Sequence, residues 1–378
     1  MPRLIAIGTA VPEYEVKQEE VRAFAKKLFG PSFQNIDRFL TVFENAAIDR
    51  RKFCKPREWF ERNHSFAEKN QAYVESAIAL GEKAIRSCLD KAGIGPEQID
   101  HLFFVSTTGM STPSIDAHLI NRLQMSGSMK RTPIWGLGCA GGVAGLARAY
   151  EYTKAFPEAN VLLLAVECCG LTFRNRDQSK SNLIATSLFV DGAAAVLVAG
   201  DQAAGCFSEA GPEILDSQSM MWPHSLDVMG WDVEDDGLKV VFSRDIPALV
   251  RARVRPVVDA FLLRHELDLS NIGTFIMHTG GRKVLEAYTE AFHTEKEKLK
   301  MSYEVLRDYG NMSSATVLFV LEKTVTQGGW TGTNGLMAAM GPGFSLEMVL
   351  LKWEPNLPNL SISGRLVAEN EKMKEEVK

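Results

Sequence analysis

The stretch Trp135-Gly-Leu-Gly-Cys139-Ala-Gly-Gly-Val-Ala-Gly145 carries the clearest chemical signal in the sequence. An apolar run enters a glycine-rich turn, Cys139 sits in that turn, and small residues suited to a helix follow. A thiol at a helix N-terminus meets unpaired backbone N–H groups and the positive end of the helix dipole. Both favour the thiolate, which is the nucleophilic form. Gly138, Gly141 and Gly142 leave room for a substrate to approach the backbone. The plain alternative is an inert buried cysteine among close-packed glycines. Cys88 and Cys206 read as packing, while Cys168 and Cys169 follow a strand and could line a cavity.

Three further segments could serve such a nucleophile. His278 ends the apolar run Thr274-Phe-Ile-Met277 and opens Thr279-Gly280-Gly281. Ligands in α/β folds bind at the carboxyl ends of strands, so His278 is placed for chemistry, with capping as the alternative. His64, His101, His118, His224, His265 and His293 read as surface or structural residues. Tyr309-Gly-Asn311-Met-Ser-Ser-Ala-Thr316 reads as a turn and a helix start. Beside a cysteine and a histidine, Asn311 becomes a neutral amide donor that can polarise a carbonyl without titrating. Gly341-Pro342-Gly343-Phe344-Ser345 is a rigid turn before the last apolar run.

The elements that must hold these residues alternate along the chain. Apolar runs at 4–7, 102–105, 134–137, 161–166 and 193–198 read as strands. A helical period spans 67–92, with Ala77, Leu80, Ala84 and Cys88 on one face. In the second half 207–211 and 240–242 look extended, 273–277 and 345–353 read as strands, and 248–263, 283–292 and 314–323 read as helices. This alternation predicts an α/β fold with buried, largely parallel sheets. The 378 residues hold about 2.5 domains' worth of chain at roughly 150 residues each. No linker cuts them, so two closely packed halves are expected, with a charged, frayed helical tail over 367–378.

Composition narrows the function. Apolar residues make up 46%, charged residues 24%, and the net charge is −5. That excludes a disordered chain and disfavours a general nucleic-acid binder, which is normally basic. An anionic substrate would need a local basic patch. No apolar run is long enough for a membrane span, and the start is too polar for a signal peptide. The six cysteines lack paired metal-site spacing and read as cytosolic thiols, giving a cytoplasmic expectation.

Taken in order, Gly-Leu-Gly-Cys139-Ala-Gly-Gly, His278-x-Gly-Gly, Gly-Asn311-Met-Ser-Ser-Ala and Gly-Pro-Gly-Phe344 resemble the type III polyketide synthases. These are the chalcone synthase-like branch of the thiolase superfamily. Phe189-Val-Asp191-Gly-Ala-Ala-Ala and Leu171-Thr-Phe-Arg174 match as well, and the wording is most similar to the bacterial branch that makes alkylpyrones. The resemblance runs from Pro2 to Trp353. It implies a five-layered αβαβα fold of two similar halves, 1–205 with the cysteine and 206–378 with the histidine and asparagine. It further implies a homodimer that needs no cofactor or metal. Cys139 would be acylated by an acyl-CoA starter. His278, as imidazolium, would stabilise the thiolate. His278 and Asn311 would then hold the thioester oxygen of malonyl-CoA during decarboxylation.

The resemblance also assigns a pocket. Phe189 matches a gatekeeper, and Val240 stands where plant members carry a second phenylalanine. Cys169, Thr172, Thr112 and Ser313 match lining positions, and Thr112 would reach into the partner subunit's cavity. Pro342, Gly343 and Phe344 complete the set, and the whole would suit a long aliphatic starter. Plain packing is the alternative for each except Phe189. For CoA the match is thinner. Arg38, Gly280, Gly281 and Lys283 fit, but Thr41 and Asn45 replace two basic residues, and the run 49–57 supplies nearby positive charge. Two other readings stay open. One is an initiating β-ketoacyl synthase of fatty-acid synthesis, and the other is a non-catalytic thiolase-fold binding protein. A 3-hydroxy-3-methylglutaryl-CoA synthase fits less well, since no Glu base is evident near the motifs.

Overall fold

A computed structural model describes residues 1–354 apart from 244, 329 and 331. The expected helical tail at 367–378 lies outside the described residues. The strands are β1 (Arg3–Ala10), β2 (Tyr14–Lys17), β3 (Arg50–Phe53), β4 (His101–Val105), β5 (Lys130–Ile134), β6 (Asn160–Cys168), β7 (Asp191–Ala199), β8 (Glu213–Met221), β9 (Met229–Glu234), β10 (Gly237–Phe242), β11 (Ile272–Met277), β12 (Asn334–Gly341) and β13 (Ser345–Lys352). The helices are α1 (Gln18–Phe29), α2 (Ile36–Ala46), α3 (Arg57–Phe60), α4 (Phe66–Ala92), α5 (Ile115–Leu123), α6 (Gly141–Ala155), α7 (Lys180–Leu188), α8 (Asp201–Ala204), α9 (Ile246–Leu263), α10 (Arg282–Phe292), α11 (Lys300–Tyr309) and α12 (Thr316–Gln327).

Local sequence sets several of these boundaries. Helix α4 starts at Ser65, whose hydroxyl accepts the Glu68 N–H while the Glu68 carboxylate accepts the Ser65 N–H. It ends at Gly93 with φ 70°, a left-handed conformation that glycine adopts without strain. Ala77, Leu80, Ala84 and Cys88 are buried, as their spacing requires.

Nine strands form one sheet in the order β11-β12-β13-β8-β1-β7-β6-β4-β5. It is mixed, not largely parallel. The β11/β12, β4/β5 and β4/β6 pairs are parallel, and the pairs among β12, β13, β8, β1, β7 and β6 are antiparallel. Continuous apolar runs report burial on both faces, which helices here impose on antiparallel strands too. Three other expectations shift. The run at 134–137 is not a strand: β5 ends at Ile134, Gly136 takes φ +94°, and Trp135 turns outward at 52% exposure. The strand placed at 207–211 is β8, which begins at Glu213. The helix at 314–323 begins after a 3₁₀ turn over Ser313–Ala315.

The layers follow from three apolar clusters. Helix α4 packs on β1, β7 and β6 through one cluster. Helices α6 and α12 pack against each other and against strands on both sides through the central cluster. Helices α9 and α10 pack over the third, with Phe275, Leu336 and Leu350 in it. The result is the five-layered αβαβα arrangement. The two sheet halves meet at β1 and β8, where the Leu4 N–H donates to Pro212 O (3.1 Å) and the Gly211 N–H donates to Leu4 O (2.7 Å).

Candidate active site

The two middle helices start where the chemistry was expected. Cys139 lies in a 3₁₀ turn, Gly138–Ala140, that leads into α6. It is 7% exposed, and its thiol donates to Ser313 Oγ at 3.7 Å. The facing 3₁₀ turn, Ser313–Ala315, leads into α12. Close approach of these helix starts depends on glycine: a Cβ on Gly142 would sit 2.2 Å from Ser314 O. The Gly341-Pro-Gly-Phe turn locks onto the same place, since a Cβ on Gly138 would sit 2.7 Å from Pro342 Cδ.

Asn311 is buried and oriented. The Ser313 N–H donates to Asn311 Oδ1 at 2.8 Å. A backbone N–H can only donate, so the oxygen is fixed there and Nδ2 is left as the free-facing donor end of the amide. Its main chain is pinned to Phe189, because the Asn311 N–H donates to Leu188 O and the Val190 N–H donates to Asn311 O. His278 follows β11, and its N–H donates to Ala338 O on β12 (2.9 Å). The Cys139 turn packs on that same strand. Among the described residues, neither ring nitrogen of His278 has a hydrogen-bond partner, nor does Thr279 Oγ1.

Burial acts against charge on both members of the expected thiolate–imidazolium pair. Burial pushes the Cys139 thiol up to about 12, with the Ser313 contact opposing and the Glu167 carboxylate adding to the rise. Burial pulls His278 down to about 3. Desolvation thus opposes the expected thiolate and the expected imidazolium when each is taken singly.

Glu167 was missed. It lies wholly buried in β6 and accepts from Thr107 N–H and Oγ1 (both 3.0 Å), Thr108 Oγ1 (2.8 Å) and Ser314 Oγ (2.5 Å). Burial raises its pKa against those donors. The signal was present: a lone Glu ends the apolar run Val161-Leu-Leu-Leu-Ala-Val166, and a buried carboxylate needs partners.

The pocket positions divide. Cys169, Phe189 and Val240 pack together with Ala185, walled by Trp231 and Phe242. They border, with Thr172, an apolar cavity of about 70 Å³ that runs toward Phe24, Phe60 and Phe173. Phe344 does not face it; its ring is buried against Trp222 (5.5 Å) in the C-terminal core. Pro342 and Gly343 are partly buried, and Thr112 is exposed on its own chain. Of the CoA candidates, Arg38 and Lys283 are exposed, Gly280 is half-buried and Gly281 is buried. The basic run 49–57 is corrected at Arg51, which is 1% exposed. Its guanidinium donates to Thr186 O (2.5 Å) and Phe189 O (3.3 Å), facing inward and not toward a CoA phosphate.

Five layers with a cysteine-bearing turn at the start of a central helix define the thiolase-like fold. Within it, residues 2–202 match the family "Chalcone and stilbene synthases, N-terminal domain", and residues 213–355 match its C-terminal domain. The chain therefore belongs to the chalcone and stilbene synthase family: it is a type III polyketide synthase, an acyl-transferring enzyme. It is 47% identical over 362 residues to a putative chalcone synthase of Bacillus subtilis (strain 168), covering 94% of this chain and 99% of that one. It is 37% identical to a 1,3,6,8-tetrahydroxynaphthalene synthase of Streptomyces peucetius subsp. caesius, covering 92% of each. The crystal structure of the tetrahydroxynaphthalene synthase of Streptomyces coelicolor A3(2), a bacterial type III polyketide synthase, superposes with a TM-score of 0.88. It shares 29% identity and covers 93% of this chain and 99% of that one.

Proposed function

We propose that this enzyme loads an acyl-CoA starter, with a long aliphatic chain, onto Cys139. It then extends the chain with malonyl-CoA by decarboxylative Claisen condensation and releases alkylpyrone-type products. The observation that carries the reading is the oriented Asn311 amide beside the Cys139–Ser313 contact, with Asn311 bridged through its main chain to Phe189, which lines an apolar cavity. Each charge alone is penalised by burial, so Cys139 and His278 ionise together: the thiol proton passes to one imidazole nitrogen as Cys139 attacks the thioester. Two unpartnered ring nitrogens suit this role, one accepting and one donating.

Acylation splits the condensation into easier steps. Malonyl-CoA then places its thioester oxygen against the Asn311 Nδ2 and a His278 N–H. Decarboxylation builds negative charge on that oxygen, and fixed donors stabilise it. The carbanion carbon attacks the acyl-Cys139 carbonyl, the C–C bond forms and the thiolate leaves. We assign residues 1–205 and 206–378 to the two halves, the cytoplasm as its site of action, and a homodimer as the working unit, with Thr112 at the partner subunit's cavity.

The cavity is small against the roughly 300–1,000 Å³ of ordinary ligand pockets. A long chain must therefore push aside side chains at its far end. Relatives named for tetrahydroxynaphthalene and 3,5-dihydroxyphenylacetyl-CoA make an aromatic product the competing outcome. Incubation with a starter-CoA series and malonyl-CoA, without carrier protein, should give pyrones by mass spectrometry. Only aromatic products, or a requirement for carrier protein, would overturn the reading. Cys139→Ala should take up no acyl group by intact mass; full product yield from that variant would remove Cys139 from the chemistry.

A further inference from the structure

We propose that Cys54 and Cys168 are a modification site: a dithiol that hydroperoxides oxidise to a reversible disulfide, closing the acyl cavity. Neither thiol takes part in the condensation described above. Their sulfurs lie 3.8 Å apart across 114 residues of chain. Cys54 is half-buried and reachable, while Cys168 is fully buried at the end of β6.

The pair is held in place by a shared clamp. One Asp191 oxygen accepts the Cys54 N–H (2.8 Å), and the other accepts the Gly170 N–H (2.6 Å). Both segments that carry the thiols also form the cavity wall: Arg51 and Phe53 precede Cys54, and Cys169 and Thr172 follow Cys168. They are packed without slack, since a Cβ on Gly170 would sit 2.6 Å from the Phe53 ring. A covalent S–S bond is about 2 Å long. Forming it changes the spacing of two segments that both line an already narrow cavity.

The chemistry balances. The Cys54 thiolate attacks a peroxide oxygen, the O–O bond breaks, and Cys54 becomes a sulfenic acid as water or an alcohol leaves. The Cys168 sulfur then attacks the Cys54 sulfur, the S–S bond forms and the S–O bond breaks. The departing hydroxide takes the Cys168 proton and leaves as water. Two thiols and one hydroperoxide give one disulfide, one water and the alcohol, or a second water if the oxidant is hydrogen peroxide. Cys54 is the first to react because it is the less buried partner and Cys168 can donate a hydrogen bond to its thiolate. The Cys54 contact, then burial, push the Cys168 thiol up, and burial with the Asp191 carboxylate pushes Cys54 up against the lowering Cys168 contact, which suits a response to sustained oxidant.

The bond rests on geometry alone; its effect on turnover rests on the reading of the cavity given above. The full-length enzyme would be treated with hydrogen peroxide, its remaining thiols alkylated, and its peptides mapped without reductant. A Cys54–Cys168 cross-linked peptide is expected, with product formation falling about tenfold as the wall shifts and returning with dithiothreitol. Cys54→Ser should keep full basal activity and show no reversible loss. Irreversible loss from oxidation of Cys139 would appear equally in both proteins. Absence of the cross-linked peptide overturns the site, and a cross-link with unchanged turnover overturns the closure. If no starter supports turnover, the peptide map still decides the bond.

Discussion

Cys139 and His278 meet opposite shifts from one cause. Desolvation lifts the thiol and depresses the imidazole, so each charge is disfavoured singly and the proposed chemistry moves a proton from one to the other. His278→Gln should therefore slow iodoacetamide alkylation of Cys139 at pH 7 by about 100-fold, the scale of lost general-base assistance. Equal rates would show that the helix terminus suffices. The same residue sets an acid sensitivity. Its folded pKa is lowered from 6.5 to about 3, so its stabilising contribution is whole above pH 6.5 and is lost as pH falls toward 3. Between pH 7 and 5 the native protein should lose about 1–2 kcal/mol more than His278→Gln, since each unit of pH is worth up to about 1.4 kcal/mol. Urea midpoints at the two pH values check this. Cys139, His278 and Asn311 could be singled out because each sits at a break in an apolar or glycine pattern. Glu167 and Arg51 were not, because a sequence does not show whether a charged residue turns inward.

Helix α6 reaches its partner through small residues. The run Gly141-Gly-Val-Ala-Gly145 lets its N-terminal turn approach the Ser314 main chain. Gly142→Ala should force that contact apart and cost about 1–3 kcal/mol of stability. Gly127→Ala, whose Cβ meets nothing within 4 Å, should melt like the parent; an unchanged melting point for Gly142→Ala would show that its contact yields without cost. At the other end of the site, Phe173 caps the far wall of the cavity. Phe173→Ala should move the preferred starter to longer acyl chains, read as product lengths from a mixed acyl-CoA pool, and an unchanged distribution would place the acyl chain elsewhere. Element existence was widely readable from apolar periodicity, as α4 and β6 show. Strand direction was not, because helices on both faces hide the alternation that marks antiparallel pairing. The polar segment Lys130-Arg-Thr-Pro-Ile134 pairs with β4 through its backbone and the His101–Thr132 side-chain contact, which no apolar pattern announces.

Across the whole chain, the acidic bulk charge and the anionic substrate remain in tension, and exposed Arg38 and Lys283 are the cations available among the assigned CoA positions. The described surface also leaves Trp135 52% and Met110 42% exposed beside β5, an edge strand of the sheet. An open edge with apolar neighbours calls for cover, and the homodimer proposed above would supply it. Trp135→Arg should halve the mass seen by sedimentation equilibrium and lower activity, with Thr112 withdrawn from its neighbour. A variant that keeps the parent's mass would locate the interface on another face.

The position of β1 also bears on biosynthesis. Its β7 edge can pair as soon as residue 199 is made, but its β8 edge must wait for residues 211–214 and beyond. Helix α6 meanwhile has its own half to lean on, while its face toward β8, β12 and β13 stays bare until residue 352 is made. An emerging chain thus leaves the β8 edge of β1 open only briefly, but the apolar face of α6 bare for the time needed to add about 150 residues, roughly 10–30 s at ordinary elongation rates. Chaperone capture, or aggregation at high expression, is the natural fate of that interval. Slower induction should raise the soluble yield more than any change to the finished fold.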